Sequence, residues 1–229
     1  MIYLIPSFLS ENAVETIPAY VMEAVKKCTV IFAENERTAR RFLKTMDKEI
    51  VIDDFEWHTI HKAEEEQISI FRERIRDKKN IAIISEAGCP GVADPGQVLI
   101  AEAQKMNAEV KPLVGPSSIL LALMASGLNG QQFSFAGYLP IDNQAKIKKI
   151  KQLETESLQK NCTQIFIETP YRNNKLLESI LGHANPSTRL CIASEITSAN
   201  EFILTKTIEQ WKKEKLDLHK KPVIFLLQA

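Results

Sequence analysis

The sequence predicts an α/β protein of two domains with mostly parallel strands. Short apolar runs rich in β-branched residues alternate with longer stretches of helical periodicity along all 229 residues. Seven of the eight glycines fall between Gly88 and Gly137, around two turns that each follow a strand and open a helix. The composition, 45% hydrophobic and 25% charged, is that of a globular chain able to bury one large or two modest cores.

In order, the first half offers strands at 2–5, 29–33, 81–84 and 110–113, and the second half at 133–137, 163–168, 190–194, 201–204 and 222–227. Helices are expected where their start signals stand: Thr16 with Pro18 just inside, running to Lys26 and Lys27; Asp94 with Pro95; and Pro116, stopping at Gly127. The sharpest boundary is Pro112 to Ser118, because the elements before it complete a sheet by themselves. The expected domains are therefore 1–113 and 114–229, hinged there.

Lys plus Arg and Asp plus Glu are equal at 29 each, so any affinity for nucleic acid must be local. The opening Met-Ile-Tyr-Leu-Ile-Pro carries no basic lead, and its apolar run ends at Pro6, too short for a signal peptide or membrane span. A cytoplasmic protein without a membrane partner is expected. Cys28, Cys89, Cys162 and Cys191 stand far apart and read as reduced thiols. The charge runs at 64–66, 146–151 and 212–221 read as solvated helix faces.

Chemistry concentrates at the glycine turns. The first strand runs into Pro-Ser-Phe-Leu-Ser-Glu-Asn, which excludes a dinucleotide fingerprint, and no Walker loop is present. The first glycine turn, S-E-A-G-C-P-G-V-A-D-P-G from Ser85 to Gly96, ends at a helix start whose free N–H groups suit a polar ligand. The second, V-G-P-S-S from Val114 to Ser118, sets two hydroxyls at another helix start. Ala136 to Pro140 (A-G-Y-L-P) and Ile165 to Arg172 (I-F-I-E-T-P-Y-R) follow later strands. Four strand ends thus carry turn-forming or polar groups where α/β sheets place their ligands.

These motifs, with G-P-S-S-I-L-L-A-L-M-A-S-G-L, F-S-F-A-G-Y-L-P and A-E-N-E-R-T-A-R-R-F-L, occur in an order and spacing that resembles the tetrapyrrole methylase superfamily of S-adenosylmethionine-dependent methyltransferases. The nearest branch methylates a cytidine ribose 2'-hydroxyl in small-subunit ribosomal RNA. The resemblance implies two α/β domains with S-adenosylmethionine in a cleft between them, a homodimer, and ribosomal RNA or the small ribosomal subunit as partner. Carried over, cofactor contacts fall to Ser85, Glu86, Ala87, Gly88, Val92 and Asp94 at the first turn, Ser117 and Ser118 at the second, and Glu168 and Thr169 after a later strand. Glu34, Arg37, Glu168 and Arg172 become the candidate catalytic residues, with Glu195 beside them. No metal is implied.

The sequence departs from that branch at identifiable places. Its first loop lacks the usual T-P-I-G-N turn and moves the amide to Asn12; Glu86 and Asn35 stand where aspartates are usual, and Tyr171 where a histidine is usual. It reads as a short form without the branch's C-terminal helical domain. Two other readings therefore stay open: a methyltransferase for a tetrapyrrole or other small acceptor, and a catalytically silent cofactor-binding paralogue.

Methyl transfer from a sulfonium is an in-line displacement, for which positioning alone can supply about 7 to 11 kcal/mol. A ribose hydroxyl also needs a base, or a cation facing the developing alkoxide. Each candidate has a plainer reading, since carboxylate and arginine at strand ends often form an ion pair. His58, His61, Glu64 and Glu65 have a spacing that gathers a metal on a helix face, but a solvated helix start accounts for them equally. Local RNA contacts are expected from Arg37, Arg40, Arg41 and Lys44, or from Lys146, Lys148, Lys149 and Lys151. No aromatics interleave with either cluster, which argues against stacking of single strands there.

Overall fold

The computed structural model describes residues 1–11, 13–60 and 65–229. Asn12, His61 and Glu64, invoked above, lie outside the described residues. The chain divides into two compact units, Met1–Ser117 and Ser118–Ala229.

The first unit holds a five-stranded, wholly parallel sheet in the order β3-β2-β4-β1-β5, from β1 (Ile2–Ile5), β2 (Val30–Ala33), β3 (Glu56–Thr59), β4 (Ile81–Ile84) and β5 (Val110–Pro112). In β4, Ile-Ala-Ile-Ile is buried at every position, as a central strand covered on both faces requires. Side chains alternate between two cores. Tyr3, Ile5, Ile31 and Ala82 face α1 (Tyr20–Val25) and α2 (Glu36–Met46), through Val21, Val25, Phe42 and Leu43. Ile2, Phe32, Ile81 and Ile83 face α3 (Ile68–Arg76) and α4 (Gln97–Lys105), through Phe71, Leu99 and Ala103. The chain leaves β1 toward β2 on one face and β4 toward β5 on the other. The carboxyl ends of β1 and β4 are therefore a topological switch point, where open α/β sheets leave a crevice.

The second unit has the order β6-β7-β10-β8-β9, from β6 (Phe133–Tyr138), β7 (Thr163–Ile167), β8 (Arg189–Ser194), β9 (Phe202–Thr207) and β10 (Val223–Gln228). Only β6 and β7 pair in parallel; β10 runs antiparallel to β7 and β8, and β8 to β9. Among the described residues five of the eight strand pairings are parallel, in keeping with the expectation of mostly parallel strands, and the antiparallel ones are confined to this second sheet: the short link from Ser194 to Phe202 brings the next strand back beside the last, whereas a parallel neighbour needs a crossover of a dozen residues or more. β10 is central and buried throughout, with Phe225 stacked on Phe166 at 5.8 Å between ring centroids. α6 (Asn143–Lys160), α7 (Asn173–His183) and α8 (Ile208–Trp211) supply the core on one face, through Ile150, Leu153, Leu176, Ile180 and Trp211. The apolar helix α5 (Ser118–Ser126) lies against β8, β9 and β10.

Local signals shift in detail. Thr16 ends a 3₁₀ turn and gives its hydroxyl to the Ala13 carbonyl, so the first helix starts later, at Tyr20. The helix expected at Asp94 begins at Gln97, after Gly96 in a left-handed conformation (φ +114°). His58 lies in β3, not at a helix start; its ring stacks on Phe32 at 4.8 Å and its Nε2 meets Glu56 at 2.7 Å. Among the described residues no helix is long and apolar enough to cross a membrane, and no group of three His, Cys, Asp or Glu is placed to hold a metal.

Candidate active site

At the switch point the loops leaving β1 and β4 are tied together. Ser7 and Gly88 exchange backbone hydrogen bonds, the Ser7 N–H donating to the Gly88 carbonyl (2.9 Å) and the Gly88 N–H to the Ser7 carbonyl (3.2 Å). The buried Ser7 hydroxyl donates to the Ser85 carbonyl at 3.0 Å. Ser85 is itself buried and donates to the Ala87 carbonyl, so it shapes the turn. Across the mouth, Glu34 Oε2 accepts the Glu86 N–H at 2.9 Å, and the Thr38 hydroxyl donates to Glu86 Oε1 at 3.1 Å. Asn35 caps α2 by accepting the Thr38 N–H, which fixes the helix that presents Thr38 and Arg41.

These parts enclose a pocket of about 380 Å³, lined by the Ser7–Glu11 loop, Thr38, Arg41, Phe42, Glu86 and Ala87. Phe8 meets Phe42 edge to face at 5.0 Å and forms an aromatic wall. Arg41 and Glu11, both exposed, pair across it at 3.3 Å.

The two glycine turns also meet. Cys89 Sγ donates to the Pro116 carbonyl at 3.5 Å. Gly115 packs so closely on Pro6 that a Cβ there would stand 2.1 Å from the proline Cβ, so only glycine fits. Asp94 lies within this turn. Burial, with the Glu34 and Glu86 carboxylates nearby, pushes its carboxyl up to about 7. Burial, with Asp94 close by, raises the Cys89 thiol as well. A carboxylate so poorly compensated favours a cationic neighbour.

Other candidates are placed differently. Arg37 is exposed on the first turn of α2, Val92 is half-exposed, and Ser117 and Ser118 are partly buried at the division between units. In the second unit, Glu168 and Arg172 do come together, as an ion pair. Arg172 Nε and Nη2 both donate to Glu168 Oε1, at 2.9 and 2.6 Å, and the Thr169 N–H adds a third bond to that oxygen at 2.7 Å. With 1% of its side chain exposed, Glu168 anchors this loop and is not offered to a substrate. Glu195 pairs with Lys221 at 3.4 Å. The basic cluster on α2 is largely committed: Arg40 pairs with Glu36 and Asp53 and lies over the Trp57 ring, and Lys44 bonds the Lys48 carbonyl. Lys146 is buried, while Lys148 and Lys151 are exposed.

Ser7, Thr38 and Glu11 were missed as site residues, and Arg41, expected among the RNA contacts, lines the pocket. The only signal for them was spacing, Thr38 and Arg41 lying one helical turn apart beyond Glu34.

A profile of the family described as Tetrapyrrole (Corrin/Porphyrin) Methylases matches residues 13–212. The chain belongs to this family. Among curated tetrapyrrole methylase relatives, "Ribosomal RNA small subunit methyltransferase I" of Buchnera aphidicola subsp. Schizaphis graminum is 30% identical over 233 residues, covering 99% of this chain and 77% of that protein. The protein of the same name from Vibrio cholerae is 33% identical over 140 residues, 61% of this chain and 47% of that one. The chain thus spans about half the length of some of these relatives and three quarters of others. The fold is shared with the methyltransferase CobJ (TM-score 0.63, 16% identity, 94% of this chain and 89% of that one). It is shared also with uroporphyrin-III C-methyl transferase of Thermus thermophilus, solved in complex with S-adenyl homocysteine (TM-score 0.58, 15% identity, 100% and 97%).

Proposed function

We propose that this tetrapyrrole methylase is a cytoplasmic S-adenosylmethionine-dependent methyltransferase that modifies a ribose 2'-hydroxyl in small-subunit ribosomal RNA. The observation that carries the reading is the alignment over 99% of the chain with a relative named as a methyltransferase of small-subunit ribosomal RNA. The pocket at the switch point supports it. Its volume suits a nucleotide, and its lining mixes one aromatic wall with hydroxyls, two carboxylates and an arginine, where a macrocycle would call for a wide apolar cavity.

The first glycine turn fits the cofactor. Gly88, Gly91 and Gly96 all have positive φ, the backbone that so tight a turn needs, and Asp94, buried and crowded by like charges, is suited to a cation such as an amino group or sulfonium. When bound, S-adenosylmethionine supplies an electrophilic methyl group. The chain's own residues then position. The Ser7–Gly88 tie fixes the two loops, Glu34 orients Glu86 through its N–H, Thr38 holds the Glu86 carboxylate, and Arg41 offers donors to the acceptor. Exposed Arg37 is the cation proposed to face the developing alkoxide. A homodimer is part of the proposal: Leu120 and Met124, one turn apart on α5, are exposed apolar side chains suited to a second copy.

The test is methyl transfer from radiolabelled S-adenosylmethionine to small ribosomal subunits from cells lacking the protein, with cofactor binding measured by calorimetry. Label in ribose supports the reading. Tight cofactor binding without label in RNA returns the choice to a small acceptor or a silent paralogue.

A further inference from the structure

The lysine-rich segment 212–221 carries two acids, Glu214, which pairs with Lys206, and Asp217. Its end is pinned to the start of α7 by a set of hydrogen bonds. Asn174 Nδ2 donates to Asp217 Oδ1 (2.8 Å) and Asn174 Oδ1 accepts the Leu218 N–H (2.8 Å). Buried Asn173 donates to the Lys221 carbonyl (2.7 Å), and the Lys220 N–H to the Pro170 carbonyl (3.0 Å). Leu218 is buried beneath. These ties hold Lys220 in a left-handed conformation, φ +61°, which a lysine adopts only when its surroundings impose it.

The result is a small fixed surface. Tyr171, 69% exposed, meets the His219 ring edge to face at 5.9 Å, and Lys220 Nζ lies 6.0 Å from the centre of the Tyr171 ring. His219 and Lys220 are exposed, as is nearby Lys175. A large aromatic left in water beside cations, on backbone already ordered, gains little from packing in the isolated chain. It has the two groups that unpaired RNA needs, a π face for a base and a positive charge for the adjoining phosphate. The residues lie 48 apart in sequence, which is why no interleaving of aromatics with basic residues was visible there.

We propose that Tyr171, His219 and Lys220 form a stacking platform for an unpaired nucleotide of the RNA acceptor, with Lys220 on its phosphate. The proposal rests on the RNA reading above and assigns it a surface outside the pocket.

The probe is a fluorescein-labelled 12-nucleotide single-stranded RNA of mixed sequence, followed by anisotropy at several salt concentrations, with thermal melting of each variant as the fold control. Y171A is expected to weaken binding roughly 5- to 140-fold and Y171F to stay within about twofold of the parent, since stacking needs the ring and not the hydroxyl. K220Q is expected to lower the slope of log Kd against log salt by about 0.7, one phosphate contact on a single strand. Equal affinity of Y171A and the parent, or equal damage from Y171F and Y171A, overturns the platform while leaving the RNA reading intact. Failure of the parent protein to bind RNA at all overturns both.

Discussion

Arg172 gives two hydrogen bonds to a single oxygen of Glu168, and that oxygen belongs to a carboxylate almost wholly withdrawn from water. The pair closes the turn between β7 and α7 and explains the presence of both residues without recourse to chemistry.

Removing the arginine strands a buried charge, so R172A should cost about 3 kcal/mol, at the low end for buried pairs because Arg172 is itself one-third exposed. The double variant E168Q/R172A should recover part of that loss, because an amide tolerates burial better than an unpaired carboxylate. Urea unfolding of the two variants checks this. Unchanged stability with lost methyl transfer would return the pair to catalysis.

Asp94 makes stability pH-dependent in an unusual direction. Its folded-state value, about 7, lies above the ordinary 3.8, so between about pH 4 and pH 7 the folded protein keeps a proton that the unfolded chain has released. The contribution of this group to stability therefore falls as pH rises through that window and is level on either side. D94N should remove the slope, so the variant gains on the parent from pH 4 to pH 7. Urea midpoints at half-unit pH steps measure it, and parallel curves would refute the assignment.

Gly115 is fixed by contact, not by backbone freedom. A methyl group there would overlap the rigid Pro6 ring, so G115A should cost about 1 to 3 kcal/mol and displace the second turn from the first. Thermal melting reads the cost. Cofactor titration should show weaker binding if the two turns act together.

Asn35 holds the first turn of α2 through the Thr38 N–H. N35A should cost about 1 kcal/mol, whereas N35D, which keeps the accepting oxygen, should stay near the parent. Equal loss in both, seen in urea melts, would mean that the cap is not what orders the helix.

The elements that read clearly in the sequence are those whose burial is total. Residues 81–84 and 223–227 are unbroken apolar runs because sheet and helices enclose them on all sides. β3 was hidden because an edge strand has only one neighbour to satisfy, and Glu-Trp-His-Thr carries no apolar run. The antiparallel pairing of β8, β9 and β10 depends on loop length and sheet order, which local propensity does not carry. In the site, the two glycine turns were legible from composition. The bonds that shape the pocket beside the first of them, Glu34 to Glu86 and Glu11 to Arg41, join residues 52 and 30 positions apart and exist only after β1, β2 and β4 have assembled.

The central position of β10 also gives the two units different histories during synthesis. Every strand of the first sheet has been made by Pro112, so that unit can close while the rest of the chain is still being translated. The second sheet cannot. β7 and β8 have no direct pairing, and the strand that joins them follows all the others, so until residues 223–228 emerge β6–β7 and β8–β9 remain two separate ribbons with unpaired inner edges. A nascent chain stalled before Val223 would carry a finished first unit and an adhesive second one, a natural client for a chaperone.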